Sequence, residues 1–143
     1  MRHGRKVKKL SRTPAHRKAM LSNMATSLIM HSTIKTTPGK ARAVCRVVDR
    51  LVSLAKRDDL HARRLAATTI RDKAALKRLF SDIGPQLTSR NGGYTRTLRW
   101  GTRHGDNAPI SVVQLLVEKA QPEAEAKTKK KKGKTKTEAP EEK

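Results

Sequence analysis

Arg2, Arg5, Lys6, Lys8, Lys9 and Arg12 crowd the opening stretch MRHGRKVKKLSR, with no acid among them. Side chains of this kind at this density do no covalent chemistry; they attract anions. The stretch runs straight into His16, Arg17 and Lys18, and Lys35 and Lys40 follow. Further along stand Arg63, Arg64, Arg71, Arg90, Arg96, Arg99 and Arg103, with His3 and Tyr94 as companions. Residues 1–120 hold 16 Arg and 10 Lys against 7 acidic residues. Arginine offers a planar fork that grips phosphate oxygens in pairs, whereas lysine acts as a mobile point charge. This pattern makes all twenty of these residues candidate nucleic-acid contacts.

Blander readings compete at several of these positions. A charge run is usually a solvated face, and that reading suits Lys127–Lys136. The acid-free arm is different, because nothing nearby neutralises it. Arg63, Arg64 and Arg71 can instead be fixed by Asp59 or Asp72. Cations in the first turn of a helix oppose its dipole. His16, Arg17 and Lys18 in such a turn therefore suggest a waiting anion, with plain solvent exposure as the alternative. Gly92-Gly93 suits a turn, or a close approach to a sugar–phosphate backbone.

Catalysis and metal binding find little support. The five histidines are His3, His16, His31, His61 and His104, and none pairs with another at ligand spacing. Cys45 is the single cysteine and has no partner. His104 and Asp106 share a loop, but two-metal phosphoryl transfer needs several converging carboxylates. Residues 1–120 have only Asp49, Asp58, Asp59, Asp72, Asp82, Asp106 and Glu118, of which three read as helix caps. Stacking platforms for single strands use several aromatics, and only Tyr94 and Trp100 are candidates here. What remains is recognition of backbone and shape: a folded RNA, or a DNA duplex bound with little sequence preference.

The elements that must position these cations are legible in outline. Residues 1–12 have no usable apolar period and read as an extended arm. Thr13-Pro14 starts a helix whose Met20, Leu21, Met24, Ala25, Leu28 and Ile29 repeat at helical spacing to about His31. Ser32–Thr36 is short and β-branched, a strand. Thr37-Pro38 opens a second helix with Ala43, Val44, Val47, Val48, Leu51, Val52 and Leu54 on one face. Asp58 and Asp59 cap a third helix through about Ile70; Asp72 caps a fourth, which Gly84-Pro85 ends. Tyr94–Trp100 and Ile110–Val117 read as strands joined by a basic, glycine-bearing loop. Alternation puts Arg96 with Leu98 and Trp100 on one face and Arg99 on the other, and one face is expected to meet the helices. The order α-β-α-α-α-β-β defines an α+β domain, a small sheet packed on a helical layer, with an extended basic N-terminal arm.

Composition sets the limits. The 143 residues carry 34 basic and 12 acidic side chains, a net charge of +22. Only 35% are hydrophobic, below the roughly 45–50% of ordinary globular domains. Positive charges this dense repel one another and destabilise the compact state unless a polyanion neutralises them. One cysteine forms no internal disulfide, so a stapled secreted scaffold is excluded. No stretch nears the roughly 18 apolar residues that cross a bilayer. The basic N-terminus lacks an apolar segment behind it, so it does not read as a secretory signal, and a cytosolic compartment is expected. Residues 119–143, dominated by Lys and Glu, read as a disordered tail. The expected division is an arm at 1–12, a domain at 13–118 and the tail.

Motifs across the chain resemble a known family. Met1-Arg2-His3, then His16-Arg17 with Met20, Asn23-Met24-Ala25 and Leu28, resemble the opening of bacterial large-subunit ribosomal protein seventeen. Ile34-Lys35-Thr36-Thr37 with Lys40-Ala41, Arg63-Arg64-Leu65-Ala66 and Arg71-Asp72 continue the match. Gly92-Gly93-Tyr94-Thr95-Arg96 and Gly105-Asp106-Asn107-Ala108-Pro109 complete it, over about residues 1–118. Gly39, Trp100 and the tail depart from the pattern. The resemblance implies a structural protein of the bacterial large ribosomal subunit, in the cytoplasm, that binds the large ribosomal RNA near the peptide exit side. It implies no catalysis and no obligate cofactor. It also implies neighbouring large-subunit proteins as partners, among them the small zinc-ribbon protein numbered thirty-two. From charge alone, a nucleoid-type DNA-binding protein and an RNA-processing enzyme stay open.

Overall fold

The computed structural model describes residues 9–117; the arm up to Lys8 and the tail from Glu118 lie outside them. Four helices and three strands follow in the expected order. Helix α1, Pro14–His31, begins at Thr13, whose Oγ1 accepts from the His16 amide at 3.4 Å, with Pro14 in the first turn. It ends at Ser32, left-handed at φ +60°, whose amide donates to the Leu28 carbonyl. That tight stop turns the chain into β1, Thr33–Thr36.

Helix α2, Pro38–Ala55, buries Ala41, Val44, Val48, Leu51, Val52 and Ala55, a single stripe at helical spacing. Its cap differs from that of α1, since Thr37 makes no side-chain capping bond. In α3, Leu60–Ala67, the Asp59 carboxylate accepts from the Ala62 amide at 2.5 Å. Asp58 is not a second cap; it sits at φ +48° and pairs with Arg63. The helix stops at Ala67, short of Ile70, and Ser22 of α1 donates its hydroxyl to the Thr69 carbonyl in the turn beyond. Asp72 caps α4, Lys73–Arg78, through the Ala74 amide at 2.9 Å.

Gly84-Pro85 does not end this last helix. The chain passes through a π-helical turn, Leu79–Ile83, into a short helical segment, Gly84–Gln86. A proline ring clashes with the carbonyl four residues back in a regular α-turn. Here the Gly84 amide reaches five residues back to the Leu79 carbonyl, which widens the turn just ahead of Pro85. Gly84 also lies tight against α2: a Cβ there would stand 3.1 Å from the Ala55 carbonyl oxygen.

Strands β2, Thr95–Thr102, and β3, Pro109–Leu115, form a hairpin, and the sheet order is β1-β3-β2 with both pairings antiparallel. The central strand β3 brings Val113 and Leu115 into the core with Leu28, Ile29, Val44, Val48, Ile70, Leu79 and Ile83. The edge strand meets the helices on one face, as expected, but only lightly. Neither face of Arg96–Thr102 is buried by the helices; every residue there is exposed. Helix α2 reaches β2 at Cys45, whose Sγ lies 3.5 Å from Thr97 Oγ1. Central β3 already fills the space over the helices, so β2 is left at the rim.

Candidate nucleic-acid interface

The cations fall into groups set by the elements that carry them. The first surrounds the start of α1. Lys9–Arg12 makes a turn with Leu10 and Ser11 at positive φ, and Leu10 rests against Gly39 at the start of α2. Arg17 donates to the Lys9 carbonyl at 3.3 Å, and Arg12 Nη1 to that of Leu10 at 3.1 Å. Arg12 Nε is buried with no hydrogen-bond partner among the described residues. Exposed His16 and Lys18 sit beside this turn in sequence, and half-buried Lys40 follows Gly39. No acid stands in the first turn of α1, α2, α3 or α4. The positive helix ends of α1 and α2 therefore meet more positive charge, an arrangement that an anion relieves.

The second group lies on α3 and after it. Arg63 is held by Asp58 at 2.6 and 3.1 Å and lies over the Phe80 ring, 5.1 Å from its centroid. Arg64 and Arg71 are exposed and make no hydrogen bond or ion pair among the described residues. Asp59 and Asp72, the partners expected for these arginines, are used as helix caps instead, and among the described residues only Arg63 of the three has a carboxylate, that of Asp58.

The third group belongs to the hairpin and the loop before it. Arg96 and Arg99 are exposed on β2 without a polar partner among the described residues. Arg103 pairs with Asp106 at 2.5 and 3.0 Å across the hairpin loop. That pairing, with the Ala108 amide, holds the Asp106 carboxyl down at about 2 and raises Arg103. Asp106 is therefore engaged in the turn by Arg103 and the Ala108 amide. Arg90 is exposed, and its carbonyl accepts from Lys56 Nζ at 2.8 Å.

Tyr94 stands apart from the other candidates. It is 3% exposed and packed in the core, with Lys56 Nζ 5.7 Å from its ring centroid. Its ring offers no open face to a base; it anchors the start of β2. Burial also pushes the Asp49 carboxyl up, with the Tyr94 amide pulling it the other way. Arg2, His3, Arg5, Lys6 and Lys8 lie outside the described residues. Of the two rings the sequence offers for stacking, Trp100 is the open one, 64% exposed. Arg78, which the sequence reading did not single out, is bonded inside the domain.

Among the described residues no group of three His, Cys, Asp or Glu side chains is placed to hold a metal ion. No described helix is long and apolar enough to cross a membrane. The fold is a small α+β domain that exposes guanidinium groups on several elements and, among the described residues, holds no metal-ligating cluster, which is the make-up of a structural domain and not of a metalloenzyme. Residues 20–116 match the family model described as ribosomal protein L17. The chain is 52% identical over 116 residues to the large ribosomal subunit protein bL17 of Maricaulis maris strain MCS10, covering 81% of this chain and 83% of that protein. Its counterpart in Allorhizobium ampelinum is also 52% identical, over 81% of this chain and 82% of the relative. In Desulfovibrio desulfuricans the identity is 53%, over 80% and 68%. The chain belongs to the ribosomal protein L17 family, a family of structural, non-enzymatic constituents of the large ribosomal subunit.

Proposed function

We propose that this protein binds and stabilises folded large-subunit ribosomal RNA through Arg and Lys contacts to phosphate, in the bacterial cytoplasm and in support of translation. One observation carries the reading. Arg64, Arg71, Arg96 and Arg99 are exposed and make no hydrogen bond or ion pair among the described residues, in a chain of net charge +22. Guanidinium groups left open on several elements at once fit the dense phosphates of a folded RNA. Arg2, Arg5, Lys6, Lys8 and Lys9 of the arm extend this set. The neighbour in the subunit is the zinc-ribbon protein numbered thirty-two, as the sequence resemblance implies; protein cross-linking in assembled subunits tests that contact.

Binding of the full chain to ribosomal RNA, measured across salt concentrations, tests the RNA reading. If about eight phosphates are neutralised, log K falls against log salt with a slope of roughly −6 to −7. A slope shallower than about −2 removes the electrostatic account. Competition with duplex DNA at equal salt separates folded RNA from generic polyanion binding: equal displacement by DNA means that shape is not recognised.

A further inference from the structure

The sheet turns one face to the helices and one away. Val113 and Leu115 join the core, whereas Val112, the residue before Val113, is buried on the opposite face, flanked in register by Lys35 of β1 and Leu98 of β2. Trp100 is the extra residue of a bulge in β2, between Arg99 opposite Ser111 and Gly101 opposite Ile110. Lys35 Nζ stands 4.5 Å from the centroid of its ring, which places the indole on this same outer face. Trp100 is 64% exposed and Leu98 44%. Arg96, two residues before Leu98, shares the face by alternation. None of the three strands carries a carboxylate.

We propose that this outer face is a stacking platform for an unpaired base of ribosomal RNA, with the Trp100 indole against the base and Lys35 and Arg96 on the flanking phosphates. The proposal rests on the RNA-binding reading and specifies one of its contacts. An exposed indole accepts any base because every base has a π-face, and neighbouring cations hold the backbone on either side. Charge decides against an apolar protein surface as the occupant. Covering Trp100 with apolar side chains would desolvate Lys35 and Arg96 with no carboxylate on the strands to pair them. A nucleotide supplies the flat ring and the counter-charge together.

Trp100 is the chain's single tryptophan, so its emission reports on this face alone. The full chain is titrated at fixed low salt with a short oligoadenylate and with a ribose–phosphate chain of equal length that lacks bases. The oligoadenylate quenches Trp100, whereas the abasic chain binds without quenching. Trp100→Ala weakens oligoadenylate binding about fivefold to a hundredfold, the range of one lost base–aromatic stack. It leaves the abasic affinity unchanged, and Trp100→Phe restores most of the loss. Thermal midpoints stay together because the side chain is exposed. Equal quenching by the abasic chain, or an unaltered ratio of the two affinities in Trp100→Ala, overturns the platform while leaving phosphate binding intact. A photoreactive benzophenone side chain at position 100 is expected to cross-link to RNA in assembled subunits, and a cross-link to protein overturns the assignment. If neither oligomer binds at low salt, the RNA-binding reading fails and the platform fails with it.

Discussion

At the end of α4, Arg78 turns its guanidinium inward; on the β2 rim, Arg96 and Arg99 turn theirs to solvent. Arg78 Nη1 donates to the Met30 carbonyl and Nη2 to Ser32 Oγ at 3.3 Å, both at the junction where α1 stops and β1 begins. The last carbonyls of a helix lack partners within it, and a cation there also meets the negative end of the dipole. Arg78 therefore closes α1 and ties α4 to it. Arg96 and Arg99 make no such bond among the described residues. The same side chain thus holds the fold at one place and is held in reserve at another. In a chain this basic, the presence of an arginine says little about its role; what its donors already touch says a great deal.

The largest effect expected from this contrast lies at Arg78. Arg78→Met keeps much of the aliphatic bulk but leaves the Met30 carbonyl and Ser32 without their donor. Urea unfolding is expected to show a loss of about 2–3 kcal/mol, the cost of unmet hydrogen bonds to a charged group at a partly buried site. A loss below about 0.5 kcal/mol would place Arg78 with the rim arginines. Next comes the converse pair. Replacing Arg96 and Arg99 together by Ala is expected to cost about 2 kcal/mol of affinity for ribosomal RNA, roughly 1 per charged contact. Folding stability should stay within about 0.5 kcal/mol. Destabilisation with affinity intact would mean that the rim arginines support the sheet instead.

The smallest effect tests the intermediate case, Arg103, which is exposed yet paired. The Asp106 carboxyl is depressed to about 2 from its ordinary 3.8. A depressed carboxyl stabilises the folded hairpin above its ordinary value, and that contribution disappears as pH falls from 3.8 through about 2. Carboxyl titration followed by NMR should place the Asp106 midpoint near 2. In Arg103→Gln the midpoint should return toward 3.8. An unmoved midpoint would show that the Ala108 amide alone holds the carboxylate.

Local chemistry was legible in the sequence wherever one residue decides an outcome. Thr13, Asp59 and Asp72 each cap the helix that follows them, because a short polar side chain before an apolar period has few better uses. The stripe of Val44, Val48, Leu51 and Val52 on α2 was equally plain. The adjacent Val112 and Val113 of β3 are both buried because β3 is the central strand, Val112 on one face and Val113 on the other. What depended on distant partners was not legible. Proline read locally ends a helix, but the π-turn before Gly84-Pro85 lets it continue. Which strand lies in the middle depends on pairings between residues far apart, so the exposure of all of Arg96–Thr102 could not be read from alternation. Among candidate contacts, residue type identified the cations but not their allegiance. Arg63 and Arg103 have carboxylate partners, Arg64 and Arg71 have none among the described residues, and all four look alike as letters.

The position of β2 at the border of the sheet has a further consequence, one for the protein before it joins anything. A border strand leaves alternate amides and carbonyls without partners and invites a second copy to continue the sheet. Here the invitation is blocked twice. The bulge at Trp100 twists the strand away from a straight template, and Arg96 and Arg99 would bring like charges against those of an incoming neighbour. A newly made molecule therefore resists self-assembly through the very strand that presents its open arginines, and whatever neutralises those arginines must also shield the strand.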